Sequence, residues 1–226
     1  MLHIMSLTGL YNKDKLQGLM ALSPEVDYQA LMAQMPEQSH PRRKLKELQN
    51  KGFLIRVKKG FYVLTSEFIG RLYSEQIVAN LLYGPSYLSL EYALSYYQLI
   101  PERVVELTSV TTQKNKIFST PIGRFSYLHL STLIYPLGIT MSHLPDGRTF
   151  LMATPEKALM DIFTLKFKNS EKPKPEDILA ALTQDMRVDL LELKKILNKD
   201  LLIEMKPHYK NRRWNYLLIE KLLEML

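Results

Sequence analysis

The chain has 226 residues, 46% apolar and 23% charged, ordinary for globular protein and long enough for one large or two small domains. It contains no cysteine, which excludes disulfides, thiolate metal sites and a cysteine nucleophile. No run of about 18 apolar residues marks a membrane span, and Met1 to Leu10 has no basic segment ahead of its apolar residues, so the reading expects a soluble, unprocessed, cytoplasmic protein. Net charge is +7, and its placement is uneven. Between Ser39 and Gly60 stand Arg42, Arg43, Lys44, Lys46, Lys51, Arg56, Lys58 and Lys59 against Glu47 alone, while the rest of the chain balances. A concentrated basic segment fits a phosphate backbone, although a solvated helix followed by a charged hairpin would carry the same charge.

In chain order, Lys13 to Ala21 carries Leu16, Leu19 and Met20 at helical spacing and ends at Leu22-Ser23-Pro24. Asp27 is a suitable N-cap for a second helix through Met35, with Val26 and Leu31 placed for a hydrophobic staple. After the turn Pro36 to Ser39, a third helix starts near Ser39 or His40, tolerates Pro41 in its first turn and stops at Gly52. Two β-prone runs, Phe53 to Val57 and Phe61 to Leu64, are then joined by Lys58-Lys59-Gly60, where glycine suits a tight hairpin. Helix, helix, short turn, helix and basic hairpin is the order of a winged helix-turn-helix.

At about 100° per residue, the third helix turns Pro41, Leu45, Leu48 and Gly52 inward. Arg43, Lys46 and Asn50 then point most directly outward, flanked by Arg42 and Gln49 on one side and Glu47 on the other. Arginine can donate two bonds to guanine and Asn or Gln can pair with adenine, whereas lysine more often meets phosphate. Arg56, Lys58 and Lys59 on the hairpin are placed for backbone or minor-groove contact.

Arg71 to Tyr83 reads as a connecting helix broken by Gly84-Pro85, followed by a helix capped by Ser89 and running through Tyr97. Strands are expected at Val104 to Thr111, Ile117 to Thr120, Phe125 to His129 and Thr149 to Met152. Thr154-Pro155-Glu156 opens a helix, with threonine as N-cap, proline in the first turn and glutamate near the positive end of the dipole. After the charged break Asn169 to Pro175, three helices are expected, Glu176 to Thr183, Asp189 to Asn198 and Asn211 to Leu226. The fold class is therefore α+β. A winged helix-turn-helix in residues 1–66 precedes a larger mixed α/β domain in residues 67–226, with C-terminal helices from about residue 175.

Several segments of the second half carry a family likeness. They are Gly84 to Leu94 (GPSYLSLEYAL), Leu99 to Glu102 (LIPE), Thr108 to Thr111 (TSVT), Thr120 to Tyr127 (TPIGRFSY) and Ala153 to Asp161 (ATPEKALMD). In this order, over about half the chain, they resemble the AbiEi family of antitoxins. The resemblance implies a winged helix-turn-helix ahead of an α/β antitoxin domain, encoded beside a nucleotidyltransferase-like toxin. It also implies repression of the operon by binding duplex operator DNA through the first domain, and neutralisation of the toxin by the second without need of a stable complex. By residue type the same motifs read structurally, with Gly84-Pro85 and Gly123 in turns, Ser89 and Thr154 as caps, and Ala93, Leu94, Ala158 and Leu159 in packing.

The residues offer no catalytic constellation. The five histidines lack the short paired spacing of metal ligands, no glycine loop cradles a phosphate, and Ser86 lacks the flanking glycines of a nucleophile elbow. No cofactor, metal or catalytic residue is expected, and Asp161 reads as a structurally hydrogen-bonded acid at a helix edge. Two further surfaces are candidates for a partner or a second nucleic acid. One is Lys114, Lys116 and Arg124 around a hairpin; the other is Lys210, Arg212 and Arg213, interleaved with Tyr209, Trp214 and Tyr216. In the latter, Trp214, Leu217, Leu218, Leu222 and Met225 follow helical spacing, so the aromatic is expected in the core. The leading reading is a DNA-binding antitoxin and autorepressor. Its competitors are a stand-alone regulator whose second domain senses a ligand or partner, and a second domain with enzymatic activity.

Overall fold

The protein was analysed as a computed structural model, which describes residues 23–35, 40–167 and 173–226. The expected helix Lys13 to Ala21, the turn Pro36 to Ser39 and residues 169–172 of the charged break lie outside these residues. The chain is mixed α/β, with helices interleaved among two sheets, and it divides into two compact units. One runs through Val78 and includes Thr120–Ile122; the other takes the remainder from Ala79.

In the first unit, Asp27 caps α1 (Tyr28–Ala33) by accepting from the Ala30 amide at 2.8 Å. The helix ends two residues before the expected Met35. The residues ahead of it also form a strand, β1 (Glu25–Asp27), that the sequence reading did not contain. The strand pairs antiparallel with β3 (Phe61–Leu64), which in turn pairs with β2 (Leu54–Lys58). Glu25 is buried there because its carboxylate accepts from Ser23 Oγ and from the backbone amide of Ser74. Between the strands in sequence lies α2 (Pro41–Asn50), held to the core by Leu45 and Leu48. These leucines share one apolar cluster with Val26, Leu31, Leu54, Leu64 and Phe68. A short helix, α3 (Ser66–Ile69), contributes Phe68, which stacks on Phe53 at 5.2 Å. It is followed by α4 (Glu75–Leu82), which begins after Ser74, whose hydroxyl accepts from the Ile77 amide.

The second unit is built on a six-stranded sheet in the order β6-β7-β5-β4-β9-β8. Its strands are β4 (Ser86–Leu88), β5 (Leu107–Thr111), β6 (Lys116–Thr120), β7 (Gly123–His129), β8 (Ile139–His143) and β9 (Thr149–Ala153). Pairing is mixed: β5 with β7 and β4 with β9 are parallel, while β4 with β5 and β8 with β9 are antiparallel. The sequence reading lacked β4 and β8. The first is three residues long, too short for an alternation signal, and meets β9 at the single pair Leu88 and Met152. Beside that pair, the Asn80 side chain substitutes for a strand neighbour, accepting from the Leu151 amide at 2.6 Å and donating to its carbonyl at 3.2 Å.

Two helices pack on this sheet. Ser89 occupies the N-cap position of α5 (Leu90–Tyr96), as expected, but its hydroxyl makes no cap and donates instead to Asp161. Thr154 does cap α6 (Pro155–Lys166), accepting from the Lys157 amide, and Pro155 through Thr164 are all buried. The chain passes close beneath this first turn at Gly138, which has φ +68°. A Cβ there would lie 2.9 Å from Lys157 Cβ and 3.3 Å from Thr154 Oγ1. Gly138→Ala is therefore expected to lower stability by at least the ~1–3 kcal/mol of overpacking, with the left-handed conformation adding to it. A lower urea midpoint than that of Gly147→Ala, whose added Cβ meets nothing within 4 Å at a similar φ, checks this.

The C-terminal helices are α7 (Pro175–Ala180), continued by a π turn over Ala181–Asp185, then α8 (Leu190–Ile196), α9 (Lys199–Met205) and α10 (Arg213–Met225). Asp189 caps α8 as its place at the start of the expected helix implies. The α9 helix was not foreseen, because Asn198 ends one helical pattern and caps the next, accepting from the Leu201 amide at 3.1 Å. Among the described residues, no helix is long and apolar enough to cross a membrane.

Candidate nucleic-acid interface

The basic surface starts from what α2 buries. With Leu45 and Leu48 inward, Arg42, Arg43, Lys46 and Asn50 are exposed and Gln49 is half-buried, as the helical wheel predicts. Pro41, by contrast, is only half-buried, and Gly52, just past the end of the helix, is exposed rather than inward. Lys44 and Lys51 instead face Glu47, at 3.0 and 2.8 Å. Their hydrogen bonds, that from Lys51 first, hold the Glu47 carboxyl below its ordinary range. The one acid of the segment is thereby neutralised by two cations on its own helix. Among the described residues, no ion pair is made by Arg42, Arg43, Lys46, Arg56 or Lys59. Beside the start of α2, Tyr28, His40, Pro41, Arg42 and Arg43 line an open concavity of about 560 Å³.

The hairpin adds to this surface. Lys58 pairs with Phe61 across a two-residue turn, Lys59-Gly60, and Gly60 has φ +83°. A bulge between Arg56 and Lys58 leaves Arg56 exposed while Val57 is buried. The turn is tied to α1 by a hydrogen bond from the Tyr28 amide to the Gly60 carbonyl at 2.9 Å. Lys59 is exposed. Lys58 is half-buried, and burial holds its ammonium below the ordinary lysine range.

The structure separates the candidates of the first additional surface. Lys114 precedes β6 and Lys116 begins it, next to the end of β7, since Asn115 Oδ1 accepts from the His129 amide at 2.7 Å. Arg124 stands at the opposite end of β7 and pairs with Glu106 at 3.2 Å. The C-terminal candidates also divide. Lys210 and Arg213 are exposed and Arg212 is half-buried, but Tyr209 lies wholly in the core. Trp214 is half-buried rather than in the core and stacks on Phe167 at 4.0 Å, while Leu217, Leu218 and Leu222 are buried as their spacing predicts. Lys206 lies over Tyr216 and pairs with Glu220.

No family model and no curated protein matches this chain.

The strongest polar constellation is one that sequence reasoning recognised only at Asp161. Lys157 and Asp161, one turn apart on α6, form an ion pair of 2.9 Å with neither side chain exposed. Lys157 Nζ also donates to the Ile134 carbonyl at 2.6 Å and lies 3.5 Å from the Tyr209 hydroxyl. Asp161 Oδ2 accepts from Tyr87 at 2.9 Å and Ser89 at 2.8 Å. Burial disfavours both charges, pushing the Asp161 carboxyl up and the Lys157 ammonium down, and their mutual attraction opposes each shift. Burial and the neighbouring Asp161 charge also push the Tyr87 hydroxyl up. The signal available in the sequence was the i, i+4 Lys-Asp spacing inside an otherwise apolar helix. Among the described residues, no group of three or more His, Asp or Glu is placed to hold a metal ion.

Proposed function

We propose that this chain is a DNA-binding antitoxin. In this reading residues 1–66 form a winged helix-turn-helix that represses the chain's own operon by binding duplex operator DNA. The second domain counteracts a nucleotidyltransferase-like toxin encoded beside it. The observation that carries the DNA-binding half is the set Arg42, Arg43, Lys46, Arg56 and Lys59, outward cations that make no ion pair among the described residues. In duplex DNA they would meet a dense line of phosphates, with Arg42, Arg43, Gln49 and Asn50 offering the planar donors that read base edges. Lys58 and Lys59 at the wing would contact backbone. The antitoxin half rests on the AbiEi-like motifs from Gly84 to Asp161.

The two halves are tested together in cells carrying the neighbouring gene and a reporter behind the operon's own promoter. Full-length chain with Arg42, Arg43, Lys46, Arg56 and Lys59 changed to alanine is expected to lose repression and retain protection from the toxin. Loss of protection in a folded variant would place antitoxicity in DNA binding. Retained repression would remove the assigned DNA surface.

A further inference from the structure

The loop joining β5 to β6 is unusually well held for a surface segment. Thr111 Oγ1 donates to the Pro85 carbonyl at 2.7 Å and accepts from the Gln113 amide at 3.1 Å. The Gln113 side chain donates to the Gly84 carbonyl at 3.2 Å, and Tyr83 donates to the Lys114 carbonyl at 3.2 Å. Asn115 holds the His129 amide, and the Gln113 carbonyl lies 3.0 Å from His129 Nδ1. A carbonyl only accepts, so Nδ1 carries the proton and Nε2 is the nitrogen left for another partner. These bonds use backbone groups of the loop and the side chains of Thr111, Gln113 and Asn115, and they leave the Thr112 hydroxyl and the Lys114 ammonium outside the network.

Those same groups surround a depression. Thr112, Gln113, Lys114 and His129 line an open concavity of about 470 Å³. It sits at the C-terminal ends of β5 and β7, neighbouring parallel strands whose last register pair is Thr111 with His129. Small ligands of open α/β sheets bind outside the carboxyl ends of such strands. The charge is one-sided: the stretch 107–145 contains no aspartate or glutamate, and Lys116 begins the adjacent β6 strand. The lining therefore offers a hydroxyl, an imidazole nitrogen and an ammonium on a preorganised frame, with no carboxylate among its described residues.

We propose that this concavity is a binding site for the phosphate group of a small ligand, held by Lys114, Thr112 and His129 Nε2 with Lys116 adding charge. The Lys114 ammonium and the Thr112 hydroxyl donate to the acceptor oxygens of a phosphate monoester, while Nε2, whose lone pair is free when Nδ1 holds the proton, accepts from the hydroxyl of its monoprotonated form. Ordering the loop beforehand removes much of the cost of binding. The site lies wholly in the second unit and goes beyond DNA binding through α2.

Backbone and imidazole NMR signals of the full chain, titrated separately with inorganic phosphate and with a nucleoside 5′-monophosphate, test the assignment. Saturable shifts are expected at Thr112, Gln113, Lys114 and the His129 ring. Lys114→Ala should weaken binding at least tenfold. His129→Asn, which keeps a donor towards the Gln113 carbonyl but removes Nε2, should also weaken it. Equal affinity for the two probes would assign the site to phosphate itself, and tighter binding of the nucleotide would assign it to a phosphorylated ligand whose remainder adds contacts. Shifts confined to α2 and the β2–β3 hairpin would overturn the proposal while leaving the DNA surface intact. Absence of saturable shifts with either probe, or binding that both variants retain, would overturn it equally.

Discussion

Duplex DNA carrying the operon's promoter is expected to bind the full chain with an affinity that collapses as salt rises, and to lose that dependence when the basic set is removed. If Arg42, Arg43, Lys46, Arg56 and Lys59 each neutralise one phosphate, their joint replacement by alanine lowers the log–log salt slope by about 4 to 5. At moderate ionic strength this is a loss of several orders of magnitude. Arg43→Ala alone is predicted to act differently from Lys59→Ala. A bidentate contact to guanine would cost about 1–3 kcal/mol and relax preference at one base pair, whereas loss of a phosphate contact weakens all sequences alike. Glu47 supplies the internal control. Its two lysines, Lys44 and Lys51, are already engaged on the helix, so Lys51→Ala should change the slope less than Lys46→Ala. Titrations at several salt concentrations with matched and scrambled duplexes decide the matter, and an unchanged slope in the fivefold variant would reject this surface.

Asp161→Ala is predicted to be the most destabilising single change in the second unit. It leaves the Lys157 ammonium at zero exposure with the Ile134 carbonyl, the Tyr209 hydroxyl and the face of the Tyr87 ring as its neighbours among the described residues, none of them an anion. Removing one member of a buried ion pair costs about 3–5 kcal/mol. Replacing both, as in Lys157→Met with Asp161→Leu, is expected to recover a large part of that loss, because the desolvation of both charges disappears together. The paired tyrosine and serine will limit the recovery, since Tyr87 and Ser89 then lose their common acceptor. Trp214 is the chain's only tryptophan and stacks on Phe167, next to the end of α6, so its fluorescence during urea unfolding reports on this unit. A double variant no more stable than Asp161→Ala would show that the remaining hydrogen bonds, rather than the pair, dominate the hub.

What the sequence determined by itself lies where the signal is local. Asp27 and Thr154 are caps because a short oxygen-bearing side chain ahead of an apolar helical pattern reaches its own first-turn amides. The outward row of α2 follows from two leucines, and the β2–β3 hairpin from two β-prone runs around Gly60. Ser89 marks where that logic ends. It stands at the cap position, but its hydroxyl is turned to donate to a buried carboxylate 72 residues away and makes no hydrogen bond to the first-turn amides. Tertiary structure alone decided the strands β1, β4 and β8, which are too short or too mixed in polarity to show a period and form because a neighbouring strand completes their hydrogen bonds. It also parted Arg124 from Lys114, since Arg124 stands near the start of β7 while Lys114 and His129, at its end, line one concavity. Helical and strand periods describe which face a side chain takes. Which distant faces meet is set by packing and by the satisfaction of buried polar groups, and the concavity beside Lys114 and His129 and the Lys157–Asp161 hub arise there.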